Sequence, residues 1–136
     1  MINSYRYLNK LKEKMIEHTH EKYNMGAIVL DKKGKILTYG FNSYTKTRPQ
    51  MFRNKYYNPY QIWTHAECDA LSKLNQKQKP YYMIITRLNT KENFNLAKPC
   101  KGCFLEIKKH GIKQVFYTNK NNELVILDLN IKMEDY

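Results

Sequence analysis

The chain has 136 residues, 42% hydrophobic and 26% charged, a balance that suits one soluble globular domain with a core of its own. Twenty-four Lys and Arg against twelve Asp and Glu leave a net charge of +12. That favours a polyanion or a phosphorylated small molecule as partner, but it equally suits lysines scattered over solvated faces. No apolar run approaches the ~20 residues of a membrane span, and "MINSYRYLNKLKEKMIEH" lacks the apolar stretch of a signal peptide. Three cysteines, two of them as C-x-x-C, argue against a disulfide scaffold. A reducing cytoplasm is the expected setting.

In chain order, residues 3–22 read as a helix, because Tyr7, Leu8, Leu11, Met15 and Ile16 recur at three- and four-residue steps. Gly26–Leu30 and Lys35–Phe41 flank the turn Asp31-Lys32-Lys33-Gly34 and read as a hairpin. A long irregular stretch, 43–62, follows, with two prolines and four tyrosines. From Thr64 to Lys77 the pattern is helical, with Thr64 as N-cap and Glu67 completing a capping box. "YYMIITRL" (81–88) reads as a buried strand, and "KGCFLEIKKH" (101–110) as a helix stopped by Gly111. "IKQVFYT" (112–118) and "ELVILDL" (123–129) are strands separated by four residues, too few for a helical crossover. They are expected to form an antiparallel hairpin. The order α-ββ-α-β-α-ββ implies an α/β layered fold, a mixed five-stranded sheet flanked by helices.

Cys100 and Cys103 stand three apart at the first turn of one helix, and His65 stands at the first turn of another. Helix N-termini favour the thiolate form, and a spacing of three puts both sulphurs on one face. Zinc on His65, Cys100 and Cys103 would keep its fourth tetrahedral position for water, as catalytic zinc sites do. Glu67, two residues past His65, would reach that water without being a ligand and carry its proton. Zinc, an open position and a proton shuttle together describe hydrolytic deamination. The rival readings are a redox or structural pair at Cys100 and Cys103, and a capping carboxylate at Glu67. Cys68 reads as a small buried hydrophobe, since a fourth protein ligand would block the water. His18 and His20 read as exposed helix-end residues, and His110 as a helix C-terminal cap.

His65-Ala66-Glu67 followed by Pro99-Cys100-Lys101-Gly102-Cys103 resembles the H-x-E…P-C-x-x-C signature of the zinc-dependent cytidine/deoxycytidylate deaminase superfamily. "GAIVLDKKGKILTYGFNS" looks like that family's first hairpin, and the likeness extends over about residues 3–129. The resemblance implies a three-layer fold, with Zn2+ held by His65, Cys100 and Cys103 and Glu67 as catalytic residue. It also implies substrate contacts from Asn42 to the sugar and from the Ala66 amide to the pyrimidine, and a homo-oligomer. Pro99 would set the chain entering the second zinc helix.

The substrate is less sharply marked. Free-nucleoside deaminases of this family carry Cys where His65 stands, and an Asn-x-Glu where this chain has Asn42-Ser43-Tyr44. The stretch 44–63 sets Lys46, Arg48, Arg53 and Lys55 beside tyrosines and Trp63. Lys46, Arg48 and Trp63 are therefore candidate contacts to a 5′-phosphate, or to phosphates and stacked bases of a single strand. The short final hairpin departs from most dCMP deaminases. A dCMP-like nucleotide is the leading substrate, single-stranded DNA or RNA the alternative. A non-catalytic, zinc-stabilised nucleic-acid-binding module is the third reading, and Glu67 speaks against it.

Overall fold

A computed structural model describes residues 2–18, 24–43, 55–56 and 64–136 of the chain. The elements are α1 (Ser4–His18), β1 (Asn24–Leu30), β2 (Ile36–Phe41), α2 (Ala66–Ser72), β3 (Tyr82–Leu88), β4 (Phe94–Asn95), α3 (Lys101–Lys109), β5 (Gln114–Thr118) and β6 (Leu124–Ile126). A 3-10 turn, Met133–Asp135, follows. The main path of the sheet runs β2-β1-β3-β5-β6, with β4 on β3, and only the β3–β5 pair is parallel. The expected α/β order and the closing antiparallel hairpin are therefore present. The sheet gains a sixth strand, because the two-residue β4 pairs with Arg87 and Leu88, beyond the part of β3 that meets β5.

Alternation along the central strands divides the apolar residues between two layers. Ile28 and Leu30 of β1, with Tyr82, Ile84 and Leu88 of β3, pack against Leu8, Leu11 and Met15 of α1. Ala27 and Val29, with Met83, Ile85 and Val115, pack against Ala66, Ala70, Leu71, Phe104 and Ile107 of α2 and α3. Each fully buried Leu or Ile contributes about 1.5–3 kcal/mol, so both faces are firmly covered. The expected apolar face of α1 is present at Leu8, Leu11 and Met15, whereas Ile16 is exposed.

Two boundaries differ from expectation. Helix α2 begins one residue later than a Thr64 cap requires. Thr64 lies in an isolated bridge with Ser43, and His65 takes the N-cap position without a side-chain capping bond. The helix also stops at Ser72 rather than Lys77. The Asn75 carboxamide accepts from the amides of Lys77 and Gln78, both at 3.0 Å, and so offers the backbone an alternative to helix. Helix α3 ends as expected, with Gly111 at φ +75°, a conformation that favours glycine.

Candidate metal and proton-transfer site

The first half of the site hangs on α2, which is fastened to β2. Gly40 lets the two approach closely: a Cβ there would lie 2.2 Å from the Ala66 carbonyl oxygen and 2.4 Å from the Ala70 nitrogen. Around that contact, Thr38 Oγ1 donates to the Ala70 carbonyl at 3.0 Å. The buried Asp69 accepts from the Phe41 amide at 3.0 Å and pairs with Lys73 Nζ at 2.9 Å. His65 stands just before this anchored helix with extended backbone, and Glu67 lies buried in its first turn.

The second half comes from the turn into α3. Cys100 is the N-cap, and its sulphur accepts from the Cys103 amide at 3.5 Å. His65 Nδ1 lies 3.6 Å from Cys100 Sγ and 3.3 Å from Cys103 Sγ, and all three donor atoms lie within 4.8 Å of one another. A tetrahedral zinc with about 2.3 Å to sulphur and about 2.05 Å to nitrogen sets S···N separations near 3.6 Å. The two S···N separations suit such an ion. Cys103 is fully buried, whereas Cys100 is exposed, so the cluster opens on the Cys100 side.

The electrostatics suit a cation. A hydrogen bond from the Cys103 thiol, working against burial, and the hydrogen bond and charge of His65 bring Cys100 down to about 4, the thiolate. Burial pushes Cys103 well up, so here it is the donor. Burial pulls His65 down, but the hydrogen bond and negative charge of Cys100 outweigh it and leave the imidazole raised. Glu67 is raised, chiefly by burial and then by the charge of Cys100. Its Oε1 is buried with no hydrogen-bond partner among the described residues, an arrangement that costs roughly 1–3 kcal/mol unless something occupies that position in the working protein.

Such a donor set suits the family whose model matches this chain. The family model for the cytidine and deoxycytidylate deaminase zinc-binding region matches residues 1–119. The chain belongs to this family. No curated protein sequence matches it. Among solved structures, it is similar to a dCMP deaminase from cyanophage S-TIM5 in complex with dCMP and dUMP. That match has 23% identity and a TM-score of 0.56, over 88% of this chain and 85% of that one. A cytidine deaminase from Mycobacterium leprae matches at 13% identity and a TM-score of 0.55, over 93% and 94% of the two chains. A cytidine deaminase from Mycobacterium tuberculosis matches at 15% identity and a TM-score of 0.51, over 82% and 84%. These likenesses show the fold of the deaminase family. The family and the donor set agree on zinc as the cofactor. Among the described residues, no helix is long and apolar enough to cross a membrane.

The remaining expected residues fall in different places. Ala66 opens α2 and is fully buried. Asn42 follows β2, and its Oδ1 accepts from the Met25 amide at 2.9 Å, so it helps hold the strand end that precedes the site. Cys68 is buried against Cys103 and lies outside the triad. Lys46, Arg48, Arg53 and Trp63, the side chain of His18 and all of His20 lie outside the described residues. Sequence reasoning passed over Asp69, Tyr136 and the pair Tyr56–Lys101. Only Asp69 carried a signal, an acidic residue at a helix position whose neighbours are all apolar or small.

Proposed function

We propose that the protein hydrolyses the exocyclic amine of a free deoxycytidine nucleotide, dCMP-like, giving the deoxyuridine nucleotide and ammonia, with Glu67 as the proton carrier. The observation that carries the reading is the buried Glu67 Oε1, without a partner among the described residues, beside the His65–Cys100–Cys103 cluster. Those three residues would hold zinc, which when bound makes a water acidic enough to lose a proton near neutral pH. Glu67 would take that proton at Oε1 and deliver it to the ring nitrogen of cytosine, then take a second from the hydroxyl newly bonded to the ring carbon and hand it to the departing amine. Overall one C–N bond is replaced by a C–O bond, water is consumed and ammonia leaves. The shared sheet beneath α1, α2 and α3 supports taking the chain as one domain.

A phosphorylated substrate is supported at the rim. Lys101, next to Cys100, places Nζ 5.3 Å from the Tyr56 ring centroid, and Lys55 places its own 5.2 Å from the same centroid. Two cations at one ring beside Cys100 make a basic patch that suits an anionic group. A nucleotide 5′-phosphate or the backbone of a single strand would serve.

Purified protein should release ammonia from a cytosine substrate. Glu67→Gln should keep zinc while turnover falls 10²- to 10⁴-fold, and full activity in that variant would sink the mechanism. Comparing dCMP, deoxycytidine and a C-containing oligonucleotide separates the substrates. Preference for dCMP supports the proposal. Turnover of the oligonucleotide alone, with steep salt dependence, would replace it by the polynucleotide reading.

A further inference from the structure

We propose that Tyr136 is a positioning residue for the metal site, holding the Pro99–Cys100 turn so that the Cys100 sulphur faces His65. The inference rests on His65, Cys100 and Cys103 being the zinc ligands.

Cys100 needs an external hold. The segment entering α3 is tied to the sheet at Ala97, whose amide donates to the Thr118 carbonyl at 2.9 Å. The next anchored group along the chain that the site depends on is Cys100 itself, and Pro99 has no N–H to offer in between. The Tyr136 hydroxyl fills this gap by donating to the Pro99 carbonyl oxygen. That oxygen and the Cys100 nitrogen belong to one rigid peptide plane. Holding the oxygen restrains that plane and the Cys100 N–Cα bond lying in it, and the Phe104 amide holds the Cys100 carbonyl on the other side, so together they limit how the Cα–Cβ bond aims the sulphur.

The ring of Tyr136 is itself well held. It stacks on Phe104 with centroids 4.0 Å apart and planes 8° from parallel, and Phe104 is fully buried in α3. Lys98 Nζ sits 4.9 Å from the ring centroid, on the same entering segment. The 3-10 turn at Met133–Asp135 brings Tyr136 into place. Tyr136 thus bridges α3, through Phe104, to the residue just before α3, through Pro99. Burial and the negative charges of Cys100 and Glu67 raise its phenol, which keeps it a neutral donor.

The test is zinc binding by the full chain, measured by competition with a chromophoric chelator, alongside urea unfolding of the zinc-free protein. Tyr136→Phe keeps the stacking and loses the hydroxyl. It should weaken zinc binding about tenfold, the low end of the effect of losing a group that orients a metal ligand. The faster zinc release should be seen directly. Leu11→Ala, in the core on the far face of the sheet, is the control for destabilisation alone: its urea midpoint should fall with zinc affinity unchanged. Parent-like affinity and release rate in Tyr136→Phe would overturn the inference. So would an affinity loss matched by Leu11→Ala. A parent protein that binds no zinc would instead overturn the ligand assignment on which this inference stands.

Discussion

The two halves of the site are held by different means. His65 and Glu67 belong to α2, which is fastened to β2 through Gly40, Thr38 and Asp69, three contacts with one central layer. Cys100 sits on an exposed turn, bonded within α3 to the Cys103 and Phe104 amides and held from outside the helix by Tyr136 through Pro99. The contrast separates two jobs. A proton carrier must sit in a fixed, dry place, because burial sets its pKa and geometry sets its reach. A ligand at the mouth must let substrate past, so it is left open and steadied from the side. Damage to the α2 half should therefore appear as lost global stability, and damage to the α3 half as lost metal affinity.

The harshest way to break the comparison is Gly40→Ala. The new methyl would lie 2.2 Å from the Ala66 carbonyl, a backbone atom that cannot swing aside, so α2 must move off β2. We expect a loss of about 3 kcal/mol or more in urea unfolding, with turnover falling as His65 and Glu67 shift. A stability near that of the parent would show that α2 is less firmly seated than its contacts imply.

Metal removal should divide the halves without any substitution. With zinc bound, the folded state is stabilised in proportion to the logarithm of zinc concentration over Kd, so chelation should lower the melting temperature. Hydrogen exchange then locates the loss. Amides of Cys103 and Phe104, whose acceptors are Cys100 Sγ and the Cys100 carbonyl, should exchange at least tenfold faster. The Asp69 amide, bonded to the His65 carbonyl within the sheet-anchored half, should change least. Equal acceleration on both sides would mean that the ion, rather than the sheet, holds α2.

What could be read from the sequence follows the same division. The H-A-E and P-C-x-x-C residues, the strand order and the closing hairpin rest on spacings within a few residues, and the structure brings His65, Cys100 and Cys103 together. The Thr64 cap misread a residue whose conformation is set by pairing with Ser43, twenty-one positions away. The C-terminal end of α2 was decided by one carboxamide, Asn75, over a helix-like pattern. A two-residue strand such as β4 has no periodicity to detect. Gly40 looks like any strand glycine until α2 is placed against it. Tyr136 is a single aromatic among charged residues, and only the fold brings it to Pro99.

The mildest test asks which part of Asp69 fastens α2. Its Oδ2 both accepts from the Phe41 amide and faces Lys73 Nζ, which in turn donates to the Tyr39 carbonyl at 3.0 Å. The Lys73 side chain is 43% exposed, so its ion pair is screened and contributes at most about 1 kcal/mol. The Phe41 amide lies on the strand end facing a carboxylate that is only 8% exposed, and losing that acceptor costs about 1–3 kcal/mol. Asp69→Asn keeps an oxygen for Phe41 and should cost less than about 1 kcal/mol, whereas Asp69→Ala should cost about 2 kcal/mol. Lys73→Met should lose slightly more than Asp69→Asn, because it removes the same pair and also the exposed bond to the Tyr39 carbonyl. If Asp69→Asn proves as damaging as Asp69→Ala, the charge rather than the amide acceptor seats the helix. The α2 half would then weaken with salt, a dependence expected of an exposed pair and not of a buried amide bond.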